Sequence, residues 1–232
     1  PNTRRAYAKA VTRFLNWCEL HNVELLHINP LIAGQYFDEL MQELSTPSVK
    51  QHHSALKKFF DWMVMGHVFP INPMYSVEPP KYSPAEGKTP IMEPHEARLL
   101  LDSIDTSKLV GLRDKSIIAI MLYSFARVNA VLQMNVDDYF SKGKRWWIRL
   151  HEKGGKYHEM PLNHKAEQYL DEYMEAAAIQ GEKKTPLFRA FNPKREMTEN
   201  RFQARDCLAM VKRRARHAGL SDNLGNHSCR GT

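Results

Sequence analysis

Arg127 is the only charged residue between Lys115 and Asp137. Ile117, Ile118, Ile120, Met121 and Leu122 precede it, and Val128, Val131, Leu132 and Met134 follow. Such a run is expected in a core, where a guanidinium is costly unless an anion meets it. That anion is either an internal carboxylate or one brought by a substrate. Two further groups bear on the choice. Glu152-Lys153-Gly154-Gly155-Lys156 is a Gly-Gly turn carrying lysines. Near the end stands Asn226-His227-Ser228-Cys229-Arg230, with His227 and Arg230 spaced to share one face of a helix about a turn apart. An H-x-x-R pair alone is common by chance; following the other two groups in this order, it is more specific.

The elements that must position these residues divide in two. Asn2-Thr3 reads as a helix N-cap, leading a helix to about residue 21. Its stripe is Tyr7, Val11, Phe14, Leu15 and Cys18, with Arg4, Arg5, Lys9 and Arg13 on another side. A second helix is expected over 30–44. A third starts at Thr46-Pro47 and runs to about 66, showing Lys50, His52, His53, Lys57 and Lys58 on its polar side. A short fourth is expected over 73–77. Residues 78–94 hold five prolines, the composition of an extended connector. The expected organisation is a helical bundle over 1–77, a linker over 78–94 and a second domain over 95–232. In that domain, helices are expected over about 95–104 and 114–123. A bend at 124–126 precedes a helix from Arg127 to about 133. Residues 141–144 read as a polar break. Arg145 to Leu150 reads as a strand, returning over 157–162 as a hairpin with lysines at its tip. Helices follow at about 164–179 and 198–217. The fold class is mainly α with a small β-sheet (α+β).

Composition sets the outer limits. The chain has 232 residues and a formal charge of +7, and the excess lies in the second half. Lys183 to Arg216 holds eleven basic and three acidic residues. A basic face of this kind attracts polyanions. No apolar run approaches the length of a membrane span, and no signal-peptide pattern opens the chain. Cys18, Cys207 and Cys229 are far apart and not in metal-ligand spacing, which points to a reducing compartment. The expectation is a soluble, cytoplasmic protein with no metal, no nucleotide cofactor and no membrane partner. No P-loop is present. The chain opens at Pro1 without a methionine, and it is expected to be a piece of a longer protein.

Four separated motifs together resemble the tyrosine recombinase, or phage integrase, family. Leu112-Arg113-Asp114-Lys115 followed by Ala126-Arg127-Val128 resembles the first arginine box. Glu152 to Lys156 through Met160-Pro161-Leu162 resembles the lysine hairpin. His227 to Arg230 resembles the second box. Asn2 to Trp17 and Ser48 to Phe60 look like the helical core-binding domain. The resemblance covers nearly the whole chain. Some slots depart from the family's pattern: Ala130 stands where an acidic residue is usual, Ser124-Phe125-Ala126 where Thr-Gly-Leu is frequent, and Cys229 in an apolar slot.

The resemblance implies a site-specific recombinase that cuts and rejoins DNA through a 3′-phosphotyrosine intermediate. The catalytic residues it implies are Arg127 and Arg230 on the scissile phosphate, Lys153 as proton donor to the leaving 5′ oxygen, and His227 in support. Arg4, Arg5, Lys50, Lys57, Lys156, Lys212, Arg213 and Arg214 are expected on DNA phosphates. The two domains are expected to form a C-shaped clamp on double-stranded DNA, and the full-length protein to act as a tetramer on two sites. The family's nucleophilic tyrosine lies beyond Thr232, so this chain alone is expected to be inactive. The alternative is a non-enzymatic DNA-binding relative. Retention of Arg127, Lys153, His227 and Arg230 argues against it, because binding alone does not require that set.

Overall fold

The computed structural model describes residues 2–83, 90–152 and 154–230. The chain divides into two compact units, Pro1–Glu86 and Gly87–Thr232. Helices dominate, with two small antiparallel sheets.

The first unit is built on α1 (Asn2–Leu20), α2 (Pro30–Glu43) and α3 (Thr46–Met65). Asn29 starts α2, its side chain accepting from the amides of Leu31 and Ile32 at 3.0 and 3.1 Å, with proline at the first helical position. The core is aromatic. The Phe14 ring meets Tyr36 edge-on at 5.0 Å and Phe60 at 5.9 Å. The expected fourth helix is a 3-10 turn, Pro73–Ser76, capped by Asn72. His53 closes it onto α3, Nε2 lying 2.6 Å from the Val77 carbonyl.

The second unit is organised around α5 (Leu109–Ser124), of whose sixteen residues ten are buried. A helix buried on every side has no polar stripe, so its periodicity carries little signal. It packs against α4 (Pro94–Asp102), α6 (Val128–Leu132), α7 (His164–Ala177) and a final 3-10 turn, Ser228–Arg230. Ile117, Ile118 and Ile120 are wholly buried, each contributing about 1.5–3 kcal/mol of apolar burial. The helix begins five residues before the expected start, because Gly111 lets it pass against the 105–106 backbone. A Cβ there would stand 1.8 Å from the Asp105 carbonyl oxygen.

Strands β1 (Tyr139–Lys142), β2 (Arg145–His151) and β3 (Tyr157–Pro161) form one antiparallel sheet in that order. The expected polar break at 141–144 is thus half strand: Lys142 pairs with Arg145 across a turn in which Gly143 has φ 66°. A second correction falls at 198–217. Residues Met197–Arg201 are strand β5, paired with β4 (Arg189–Phe191), and α8 starts only at Ala204 and runs to His217. The strand wins there because Arg201 is drawn inward. Its guanidinium donates to the Leu132 and Met134 carbonyls, both at 2.7 Å.

Candidate active site

The site is assembled where α5 ends. Phe125 takes a left-handed conformation, φ 52°, and breaks the helix. Ala126 then turns inward, 4% exposed, and Arg127 becomes the extended N-cap residue of α6. Its carbonyl accepts from the amides of Ala130 and Val131. The side chain points out, 54% exposed. This corrects the expectation of a core guanidinium. The apolar run is buried on both sides of the break, and only the break brings Arg127 to the surface.

The guanidinium meets Glu152, Nη1 to Oε2 at 2.6 Å. Glu152 follows directly on β2, and its amide donates to the Lys156 carbonyl at 2.7 Å, closing the hairpin. Gly154 and Gly155, with φ 85° and 76°, supply the tight turn. Arg127 and the hairpin share an open cleft of about 780 Å³, whose walls include Phe125, Leu150, Glu152, Lys156, Tyr157 and His158. His151 braces the hairpin from behind: Nε2 lies 2.7 Å from Asp138 Oδ2, and its ring meets Tyr157 edge-on at 4.9 Å.

His227 is exposed in a turn just before the 3-10 turn Ser228–Arg230. That segment is pinned by Cys229, wholly buried, and packs against α5. Burial pushes the Cys229 thiol up to about 12. The Ser228 amide donates to the Gly225 carbonyl, and the Gly225 amide donates to Ser228 Oγ. Lys153 and the Arg230 side chain lie outside the described residues.

Of the residues expected on DNA phosphates, Arg4, Arg5, Lys50 and Lys57 are exposed on α1 and α3, with Lys57 Nζ 5.1 Å from the Tyr75 ring centre. Lys156 and Lys212 are exposed. Arg213 is half-exposed and reaches Asp114 at 3.3 Å. Arg214 differs from expectation. Its side chain is 14% exposed, with Nε and Nη2 on Asp114 Oδ2 at 3.1 and 2.8 Å. A buried carboxylate holds it, because Asp114 has no exposed surface of its own.

Sequence reasoning passed over Glu152, Tyr157 and His158 as cleft residues. The available signal was their place at the two ends of the Gly-Gly turn. It also passed over Asp114 as a hub; the signal was a carboxylate in the most apolar helix of the chain.

Comparisons with known proteins agree over both units. Residues 90–232 match the phage integrase family, and residues 1–67 match the phage integrase N-terminal SAM-like domain. Tyrosine recombinase XerC of Thermodesulfovibrio yellowstonii is 26% identical over 238 residues, spanning all of this chain and 75% of that protein. Tyrosine recombinase XerD of Listeria monocytogenes is 28% identical over 182 residues, covering 76% of this chain and 59% of that protein. The chain thus spans less than two thirds of the second relative's length. Among solved structures, XerH site-specific recombinase bound to palindromic difH substrate superposes with a TM-score of 0.72 at 18% identity. That match covers 97% of this chain and 66% of the other. The lambda integrase tetramer bound to a Holliday junction gives 0.69 at 15%, covering 97% and 61%. These structural likenesses speak to the fold. With the family match extending over more than half of its residues, the chain belongs to the phage integrase family, the tyrosine recombinases.

Proposed function

We propose that this chain is the DNA-binding and phosphate-handling part of a site-specific recombinase that cuts and rejoins DNA through a 3′-phosphotyrosine intermediate. Residues 1–77 bind duplex DNA, 78–94 link, and 95–232 carry the chemistry. In the first step a tyrosine oxygen attacks the scissile phosphorus and the bond to the 5′ oxygen breaks. Arg127 and Arg230 neutralise the charge that builds on the non-bridging oxygens. Lys153 gives the leaving 5′ oxygen its proton, and His227 assists the nucleophile or the phosphate. The 5′ hydroxyl of the partner strand then reverses the step on the exchanged duplex. The phosphodiester's energy is stored in the covalent bond, so no nucleotide cofactor is required.

In the family's motif order the nucleophilic tyrosine follows the second box, and none of the nine tyrosines here stands after His227. Tyr36, Tyr139 and Tyr173 are buried, and burial raises the pKa of each. Burial keeps these three phenols from a DNA strand. Arg4, Arg5, Lys50, Lys57, Lys156, Lys212 and Arg213 meet backbone phosphates. The working form is a tetramer on two DNA sites; in support, the lambda integrase neighbour is a tetramer bound to a Holliday junction.

The observation that carries this reading is the exposed guanidinium of Arg127 at a cleft walled by Glu152 and Lys156. An arginine serving only as an internal counter-charge has no need of that opening. The test is single-turnover cleavage of a nicked suicide DNA substrate by the full-length protein. Arg127→Ala is expected to lose about a hundredfold or more in rate, with the thermal midpoint close to that of the parent. An unimpaired variant would overturn the assignment.

A further inference from the structure

Glu152 stands directly before Lys153 and closes the β2–β3 hairpin through its amide. Its carboxylate, 26% exposed, takes a single N–H of Arg127 at 2.6 Å. A guanidinium offers five N–H groups in a planar fork. Among the described residues, no hydrogen bond is made by the Nε and Nη2 edge. One edge is therefore tied to the hairpin while the other is left to grip an outside anion in bidentate fashion. An untethered arginine at this exposure would lose side-chain rotamer freedom on gripping anything. Glu152 removes part of that freedom before an anion arrives. The same contact joins the hairpin to the break between α5 and α6. β3 is exposed at Tyr157, His158 and Glu159, so little packing holds the turn from outside.

We propose that Glu152 is a positioning residue for strand cleavage: it ties the end of β2, directly before Lys153 in the sequence, to Arg127, so that the residues assigned to bind the phosphate and to give the proton act as one unit. Glu152 itself touches neither the phosphate nor the leaving oxygen. The inference rests on the phosphoryl-transfer reading of Arg127. A competing carboxylate that the phosphate must displace would have the opposite sign, with its removal speeding cleavage.

The experiment is single-turnover cleavage by the full-length protein at saturating DNA, with DNA affinity measured in parallel. Glu152→Ala is expected to slow cleavage about tenfold or more, since small misplacements of reacting groups are costly, with affinity for DNA within about twofold. Glu152→Gln keeps the length and the acceptor, and is expected to stay within about threefold of the parent. Glu152→Asp is one methylene short and is expected to fall with Glu152→Ala. A substrate with sulfur in the bridging 5′ position loses a thiolate that needs no proton. On it, the Glu152→Ala defect is expected to shrink, an effect that general loss of structure would not produce. If Glu152→Ala does not fold, the Gln and Asp variants carry the comparison. Glu152→Ala and Glu152→Asp cleaving as fast as the parent or faster, while Arg127→Ala is inactive, would overturn the tether and leave the arginine's role standing. An undiminished defect on the sulfur substrate would also overturn it. Arg127→Ala cleaving normally would instead remove the phosphate reading itself.

Discussion

Arg214 holds Asp114 from a hundred residues away, with Nε and Nη2 both on Oδ2. The other carboxylate oxygen takes Nε and Nη2 of Arg113 at 3.1 and 2.7 Å. Arg113 is buried too, its guanidinium carbon 3.8 and 4.9 Å from the ring centres of Phe202 and Phe191. Its remaining arm donates to the Arg189 carbonyl at 2.8 Å. One carboxylate thereby joins α5, the β4–β5 hairpin and α8. That network fixes the scaffold from which Arg127 projects at the other end of α5.

Breaking the network by removing one partner strands a buried charge. Arg214→Ala is expected to cost about 3 kcal/mol of folding free energy, with Arg213 recovering only part of it. Asp114→Asn is expected to cost at least as much, because it leaves Arg113 without its anion. Urea denaturation of the two variants measures this. Unchanged midpoints would show that Asp114 is not a structural hub.

Alkaline pH is expected to destabilise the fold. Burial pushes the thiols of Cys207 and Cys229 and the phenol of Tyr36 up to about 12. The ordinary values are 9.0 and 10.0. Each group is protonated when folded, whereas the unfolded chain releases these protons from about pH 9. The unfolded state therefore binds fewer protons above that pH, and stability falls as pH rises from about 9 toward 12. Denaturation midpoints across pH 8–11 test the sign, and Cys229→Ala is expected to make the decline shallower.

Lys212 and Arg214 share α8 but differ in commitment, since only the first is exposed without an ion-pair partner among the described residues. For DNA binding, Lys212→Ala is expected to reduce the slope of log affinity against log salt by about 1. Arg214→Ala is expected to leave that slope unchanged in the folded fraction. Titrations at several salt concentrations separate the two. Equal slopes for Lys212→Ala and the parent would remove Lys212 from the interface.

Local chemistry made much of this molecule legible from the sequence. The stripe of α1, the proline starts of α2 and α3 and the Gly-Gly turn of the β2–β3 hairpin all depend on residues within a few positions of one another. Periodicity and turn preference report such elements directly. The lysine-bearing turn and the His227 to Arg230 pair are each local patterns too, and their order after Arg127 is read directly along the chain.

Tertiary structure alone decided which charged groups face water and which face each other. Arg127, in the most apolar run of the chain, is exposed because a left-handed residue breaks the helix just before it. Arg214, in the most basic stretch, is turned inward because Asp114 is buried beneath it. Strands β4 and β5 likewise formed where Arg201 found carbonyls some seventy residues earlier in the chain. These are pairings between residues distant in sequence, and the free energy of desolvating a charge is settled by the partner it meets, which no local pattern records.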